Sequence, residues 1–172
     1  GAVYMGGTFG LSPSLIGNIL AMGAVGFIAG TPLLTWISEK RLKSRRKAMV
    51  LASLLACVSG AALSLGSASL SVPLLFVVSL GLGIAANGPC PVGYATGRER
   101  FGNRMVGSLS GILASSVFVG GALLQLISGA LLSFAQQAGL SQPWTWAFAP
   151  LVLLAAVSAL AAWLLPAVSY TH

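Results

Sequence analysis

The chain has 172 residues, 56% hydrophobic and 6% charged, with a mean hydropathy of +0.93 and a formal net charge of +7. Soluble domains carry about 25% charged residues, so this composition cannot cover a water-facing surface. It excludes a soluble domain and indicates an all-α, polytopic transmembrane helix bundle.

Residues 1–10, GAVYMGGTFG, are apolar or small but too few to cross a bilayer, which takes about 20 residues. They read as the tail of a truncated span, followed by a turn at 11–14. Five full spans are expected after it, at about 15–38, 48–67, 72–95, 106–134 and 145–166, within one bundle covering 1–172.

The charge is concentrated. All nine Lys and Arg fall in 40–47 and 98–104, at the ends of membrane-length apolar runs. This placement argues for a lipid bilayer as the partner and against nucleic acid. Two spans separate the charged loops, so both lie on one face, and the connections at 68–71 and 135–144 carry no charge. By the positive-inside rule, loops 39–47 and 96–105 and the C-terminus are expected to be cytoplasmic. Trp36 and Trp163 fall at expected inner ends, and Trp144 and Trp146 at an outer end, where indole rings favour the headgroup level.

Small residues divide the spans. The first, third and fourth are glycine-rich, while the second has only Gly60 and Gly66 and the fifth has none. Glycines four apart let helices approach closely, as at Gly26/Gly30 and Gly107/Gly111. The first, third and fourth spans are therefore expected in the protein interior, and the second and fifth against lipid. Pro32 lies inside the first span, and Asn87-Gly88-Pro89-Cys90-Pro91 interrupts the third. Prolines remove backbone donors and kink helices, and such breaks suit either plain bending or a polar pathway.

Little catalytic chemistry is available. The single His is His172, and both carboxylates, Glu39 and Glu99, lie in the charged loops. Gly107-Ser-Leu-Ser-Gly111 places Leu109 where a serine nucleophile motif needs Ser. No Cys, His or Asp cluster offers a metal site, so no enzyme, cofactor or metal is expected. Amides at membrane depth are costly unless paired. Asn87, Gln125 and Asn18 are therefore candidates for a substrate cavity, with a hydrogen bond to one neighbouring helix as the alternative for each.

The stretch Gly30, Pro32, Ser38-Glu39, Lys40-Arg41, Arg45-Arg46-Lys47 resembles the loop between the eighth and ninth helices of the major facilitator superfamily. It departs from that pattern at Thr35, where Gly is frequent, at Glu39, where Asp is frequent, and at Ser44, where Gly is usual. Arg98-Glu99-Arg100-Phe101, Gly107/Gly111 and Gly120-Gly121-x-x-x-Gln125-x-x-x-Gly129 are similar to the family's tenth-to-eleventh connection and eleventh helix. The resemblance implies helices eight to twelve, with residues 1–10 ending helix seven. It implies a C-terminal transporter half in the plasma (inner) membrane, moving a small organic solute by alternating access against an N-terminal half absent from this chain. It also implies a cytoplasmic charge network drawn from Glu39, Arg45, Arg46, Arg98, Glu99 and Arg100. A non-transporting membrane fragment or embedded interaction module is the alternative reading.

Overall fold

The computed structural model describes residues 2–66, 70–87, 94, 97 and 106–164, and these are helical or in short turns. In chain order the helices are α1 (Ala2–Phe9), α2 (Pro13–Trp36), α3 (Arg45–Leu65), α4 (Val72–Asn87), α5 (Val106–Gln137) and α6 (Pro143–Leu164). Four helical segments are long and apolar enough to cross a membrane: Pro13–Arg41, Arg45–Leu65, Val106–Gln137 and Pro143–Leu164. The third expected span, 72–95, is described over the 16 residues of α4. The chain is a multi-pass membrane protein.

Local chemistry sets the helix ends. Gly10 takes φ +61, a left-handed conformation that glycine adopts without strain, and stops α1. Ser12 then caps α2, its hydroxyl accepting from the Leu15 amide at 3.4 Å, and Pro13 takes the first helical position, where its missing N–H costs nothing. Gly139, at φ +65, closes α5 in the same way. The Leu140 amide donates back to the Ala135 carbonyl at 3.0 Å there.

The helices pack as a row, α2 beside α4, α4 beside α3, α3 beside α6, and α6 beside α5. Two pairs dominate, and they are built differently. In α2–α4 the backbones touch. A methyl added at Gly26 would collide with the Leu80 carbonyl, one at Gly83 with the Gly23 carbonyl, and one at Gly30 would meet the Ile84 oxygen at 2.7 Å. In α3–α6 the helices run antiparallel and hydroxyls join them. Ser53 Oγ and Ser158 Oγ share a hydrogen bond of 2.9 Å midway along. At the uncharged end Ser64 Oγ donates to Thr145 O at 3.3 Å, and Thr145 Oγ1 lies 2.8 Å from Ser64 O.

The apolar core sits at the end away from the charges. Tyr4 and Met5 of α1, Ile16 and Ile19 of α2, Leu63 of α3, and Leu75 and Val78 of α4 form one buried cluster. Tyr4 is its centre at 1% exposed. Its ring packs edge-on against Phe9, Trp144 and Phe148 at centroid distances of 5.6, 5.1 and 5.0 Å, and its hydroxyl donates to Leu63 O at 3.2 Å. Edge-to-face aromatic pairs of this kind add about 0.5–1.5 kcal/mol beyond area burial. The short α1 thus ties α3 and α6 together at one end.

Glycine content alone does not set the packing within the chain. The second span, α3, lies in the middle of the row, with Ala48, Ala52, Ser53, Ser59, Gly60 and Ser64 buried and Leu51, Leu54 and Val58 exposed on its other side. Alanine and serine are small enough for close packing without glycine's help. The glycine-rich fourth span, α5, lies at the edge, with Ala135 its one buried residue among those described. Large apolar side chains face outward along it, Phe118 at 78% exposed, as suits a lipid or protein neighbour rather than water.

Candidate functional site

The charged hairpin is more helical than a nine-residue loop. After Trp36 the helix widens into a π-helical turn, Ile37–Arg41, closed by the Leu42 amide donating to Ile37 O at 2.9 Å. Inserting a residue into the helical ladder in this way is common at functional sites. Lys43 then adopts φ 46, and the Ser44 amide donates to Ser38 O at 3.3 Å. Ser44 caps α3 by accepting from the Lys47 amide at 3.5 Å. The reversal therefore takes only Leu42 to Ser44. It brings Lys40 and Arg41, at the end of one helix, beside Arg45, Arg46 and Lys47, at the start of the next.

Within the expected charge network, Glu39 lies exposed on the π-helical turn. Arg46 stands over the Trp163 ring of α6, 5.4 Å from its centroid, a cation–π arrangement. Arg45 is half-buried in the first turn of α3. Arg98, Glu99 and Arg100 lie outside the described residues, as do Pro89 and Pro91.

The three amides do not converge. Asn87, at the end of α4, turns to α2, its Nδ2 donating to Phe27 O at 3.0 Å and Thr31 Oγ1 at 2.8 Å. Both amide hydrogens are thereby used on the one helix it packs against. Asn18 is exposed near the start of α2. Gln125 is exposed midway along α5, on the wall of a crevice of about 310 Å³ against Trp144, Phe148 and Leu151 of α6.

Of the packing residues, Gly26 and Gly30 are buried against α4. Pro32 lies beside them on α2 with its side chain exposed. Gly107 and Gly111, like Gly120, Gly121 and Gly129, have open space where a side chain would be. Gly111 borders an open groove of about 510 Å³ with Ser108, Ser115 and Val119. The Ser116 hydroxyl beside it is satisfied by its own helix, donating to Ile112 O at 2.8 Å.

Sequence reasoning missed the hydroxyl pairs Ser53–Ser158 and Ser64–Thr145. Isolated Ser and Thr in apolar helices carry no signal that separates a cross-helix bond from one to their own backbone. It also missed the contact of Arg46 with Trp163. Both fall at the same expected membrane face, which is the one clue the sequence holds.

Neither the curated proteins nor the solved structures contain a match to the chain. The family model of the Major Facilitator Superfamily matches residues 1–171, nearly the whole chain. Together with an all-helical bundle of apolar spans and a compact basic hairpin between two of them, this match shows that the chain belongs to the major facilitator superfamily, a family of membrane transporters rather than enzymes.

Proposed function

We propose that this chain is the C-terminal bundle of a secondary transporter. It moves a small organic solute by alternating access, rocking against a six-helix N-terminal bundle that lies outside the chain. The basic hairpin faces the cytoplasm and fixes the orientation in the plasma membrane.

The observation that carries this reading is the exposed, small-residue face of α5. A 32-residue apolar helix bearing Gly107, Gly111, Gly121 and Gly129 along one side is shaped for close approach by another helix, and no described residue of this chain fills that space. Gln125 lies on the same helix and supplies an amide for a polar solute at mid-membrane depth. Asn18 offers a second amide near the far end of α2.

The test is uptake of labelled small organic solutes into proteoliposomes carrying this bundle joined to its N-terminal partner. Saturable uptake is expected, and Gly121→Trp on α5 abolishes it without preventing membrane insertion. Cysteines placed at Asn18 and Gln125 should change their labelling by an impermeant maleimide when substrate is added. A two-bundle protein that takes up no solute, with labelling insensitive to every compound, would instead make the chain a non-transporting membrane module.

A further inference from the structure

We propose that the crevice between the charged ends of α3 and α6 is a binding site for an anionic phospholipid. Its phosphate would be held by Arg46 and Lys47, and its acyl chain would lie along Leu51 and Leu54. The cavity measures about 500 Å³, and none of its described lining residues is acidic. Its two ends differ in chemistry. Ser44, Arg46 and Lys47 form the end at the charged hairpin, and Val50, Leu51 and Leu54 continue it down the outer face of α3. Trp163 forms the opposite wall.

The start of α3 concentrates positive charge. The N-terminus of a helix carries the positive end of its dipole and favours negative groups. The first turn of α3 nevertheless holds Arg45, Arg46 and Lys47 and no acidic residue. Arg46 stands over the Trp163 ring, 5.4 Å from its centroid. A guanidinium can meet an aromatic ring and still bond phosphate oxygens through its N–H groups. Trp163 is 61% exposed, and Leu51 and Leu54 are 44% and 49% exposed, so the crevice opens sideways on the outside of the bundle. A soluble anion would leave the Leu51–Leu54 wall uncovered. A phospholipid matches both ends, with a charged head at the hairpin and a chain along the helix. The proposal rests on the chain's being embedded in a membrane and is independent of whether it transports.

The test uses the purified chain in vesicles of phosphatidylcholine with a minor fraction of brominated lipid. Trp163 is kept as the only tryptophan by changing Trp36, Trp144 and Trp146 to Phe. Brominated phosphatidylglycerol at 10 mol% should quench Trp163 several-fold more than the same fraction of brominated phosphatidylcholine. Lys47→Gln should bring that ratio most of the way to one, and Arg46→Gln further. Arg46→Lys should retain part of the preference. Lys43→Gln, outside the crevice lining, should leave the ratio nearly unchanged. Lys47 is exposed, so its replacement does not threaten folding, and helicity measured by circular dichroism checks each variant. Equal quenching by the two lipids would overturn the proposal. So would an equal loss in Lys47→Gln and Lys43→Gln, which would mark a general surface-charge effect. Ten millimolar inorganic phosphate should leave the lipid preference intact; its abolition would assign the crevice to soluble anions and overturn the lipid site.

Discussion

Helices α2 and α5 carry the same sequence signature and lead opposite structural lives. Both are apolar, glycine-rich and long enough to cross a bilayer. On α2, Gly23, Gly26 and Gly30 lie against the backbone of α4, while on α5 Gly107, Gly111, Gly120, Gly121 and Gly129 border open space. A small residue permits close approach but does not supply the neighbour. Where the neighbour is in the chain, the glycine becomes a fixed structural position. Where it is not, the glycine marks a surface shaped for something else.

The comparison breaks most sharply under substitution by valine. Gly83→Val drives a branched side chain into the Gly23 carbonyl and the Phe27 amide of α2, both backbone atoms that cannot turn aside. Overpacking of this kind costs about 1–3 kcal/mol and occasionally more, and the upper part of that range is expected here because two backbones must separate. Gly111→Val on α5 meets nothing within 4 Å, so its effect on the stability of this chain should stay within about 0.5 kcal/mol. Unfolding in mixed micelles under increasing SDS measures both. Equal destabilisation would mean that the α5 face is packed in the isolated chain, removing the contrast.

Next in size is the polar side of each packed pair. Asn87→Leu removes two hydrogen bonds to α2, at Phe27 O and Thr31 Oγ1. Interhelical hydrogen bonds in membranes average about 0.6 kcal/mol and reach about 1.7, so a loss of about 1–2 kcal/mol is expected. Adding Thr31→Val to Asn87→Leu should recover little of it, since the bond to the Phe27 carbonyl stays lost. Thr145→Val, which takes a hydroxyl from the α3–α6 pair, should cost about 1 kcal/mol on the same grounds. A double-mutant cycle between Ser53 and Ser158, whose hydroxyls bond each other, should show coupling, whereas one between Asn87 and Thr145 should be additive, because they lie in different helix pairs.

The membrane class, the helical spans and the basic hairpin were legible because each rests on a summed property: apolar length, charge density, or the flanking of one by the other. The α5–α6 connection and the break before α2 were legible from single residues, because Gly, Ser and Pro at helix ends have local jobs, although the turn expected over 11–14 ends at Ser12, with Pro13 and Ser14 already in α2. Neighbour relations were not. The burial of α3 rests on Ala48, Ala52, Ser59 and Ser64, residues that look the same in sequence whether they face lipid or a helix. The continuation of α2 into a π-helical turn was hidden because Ser38 to Arg41 is polar and reads as loop, although a helix reaching past the membrane needs no apolar residues there. Of the candidate site, Asn87 was named for a substrate cavity with a bond to one neighbouring helix as the alternative; its amide bonds α2, and that depends on α2 and α4 lying side by side, a long-range fact.

The smallest expected effect is also the most discriminating. Gly111→Ala and Gly121→Ala add one methyl each to the open face of α5. In a soluble helix such changes stabilise by about 0.4–1 kcal/mol, because alanine restricts the unfolded backbone. In a bilayer the helix persists before assembly, so most of that gain disappears, and the chain's own stability should barely move. The same methyls become costly once a second bundle presses its backbone against α5, as the α2–α4 contact shows for Gly26 and Gly83. Uptake by the joined two-bundle protein should therefore fall, and fall further with valine, while the stability of the isolated chain stays flat. A decline in both together would place the effect within this chain's own fold. A decline in neither would mean that the partner does not approach α5 at these glycines. Only the split between the two readouts identifies α5 as the surface on which the other half moves.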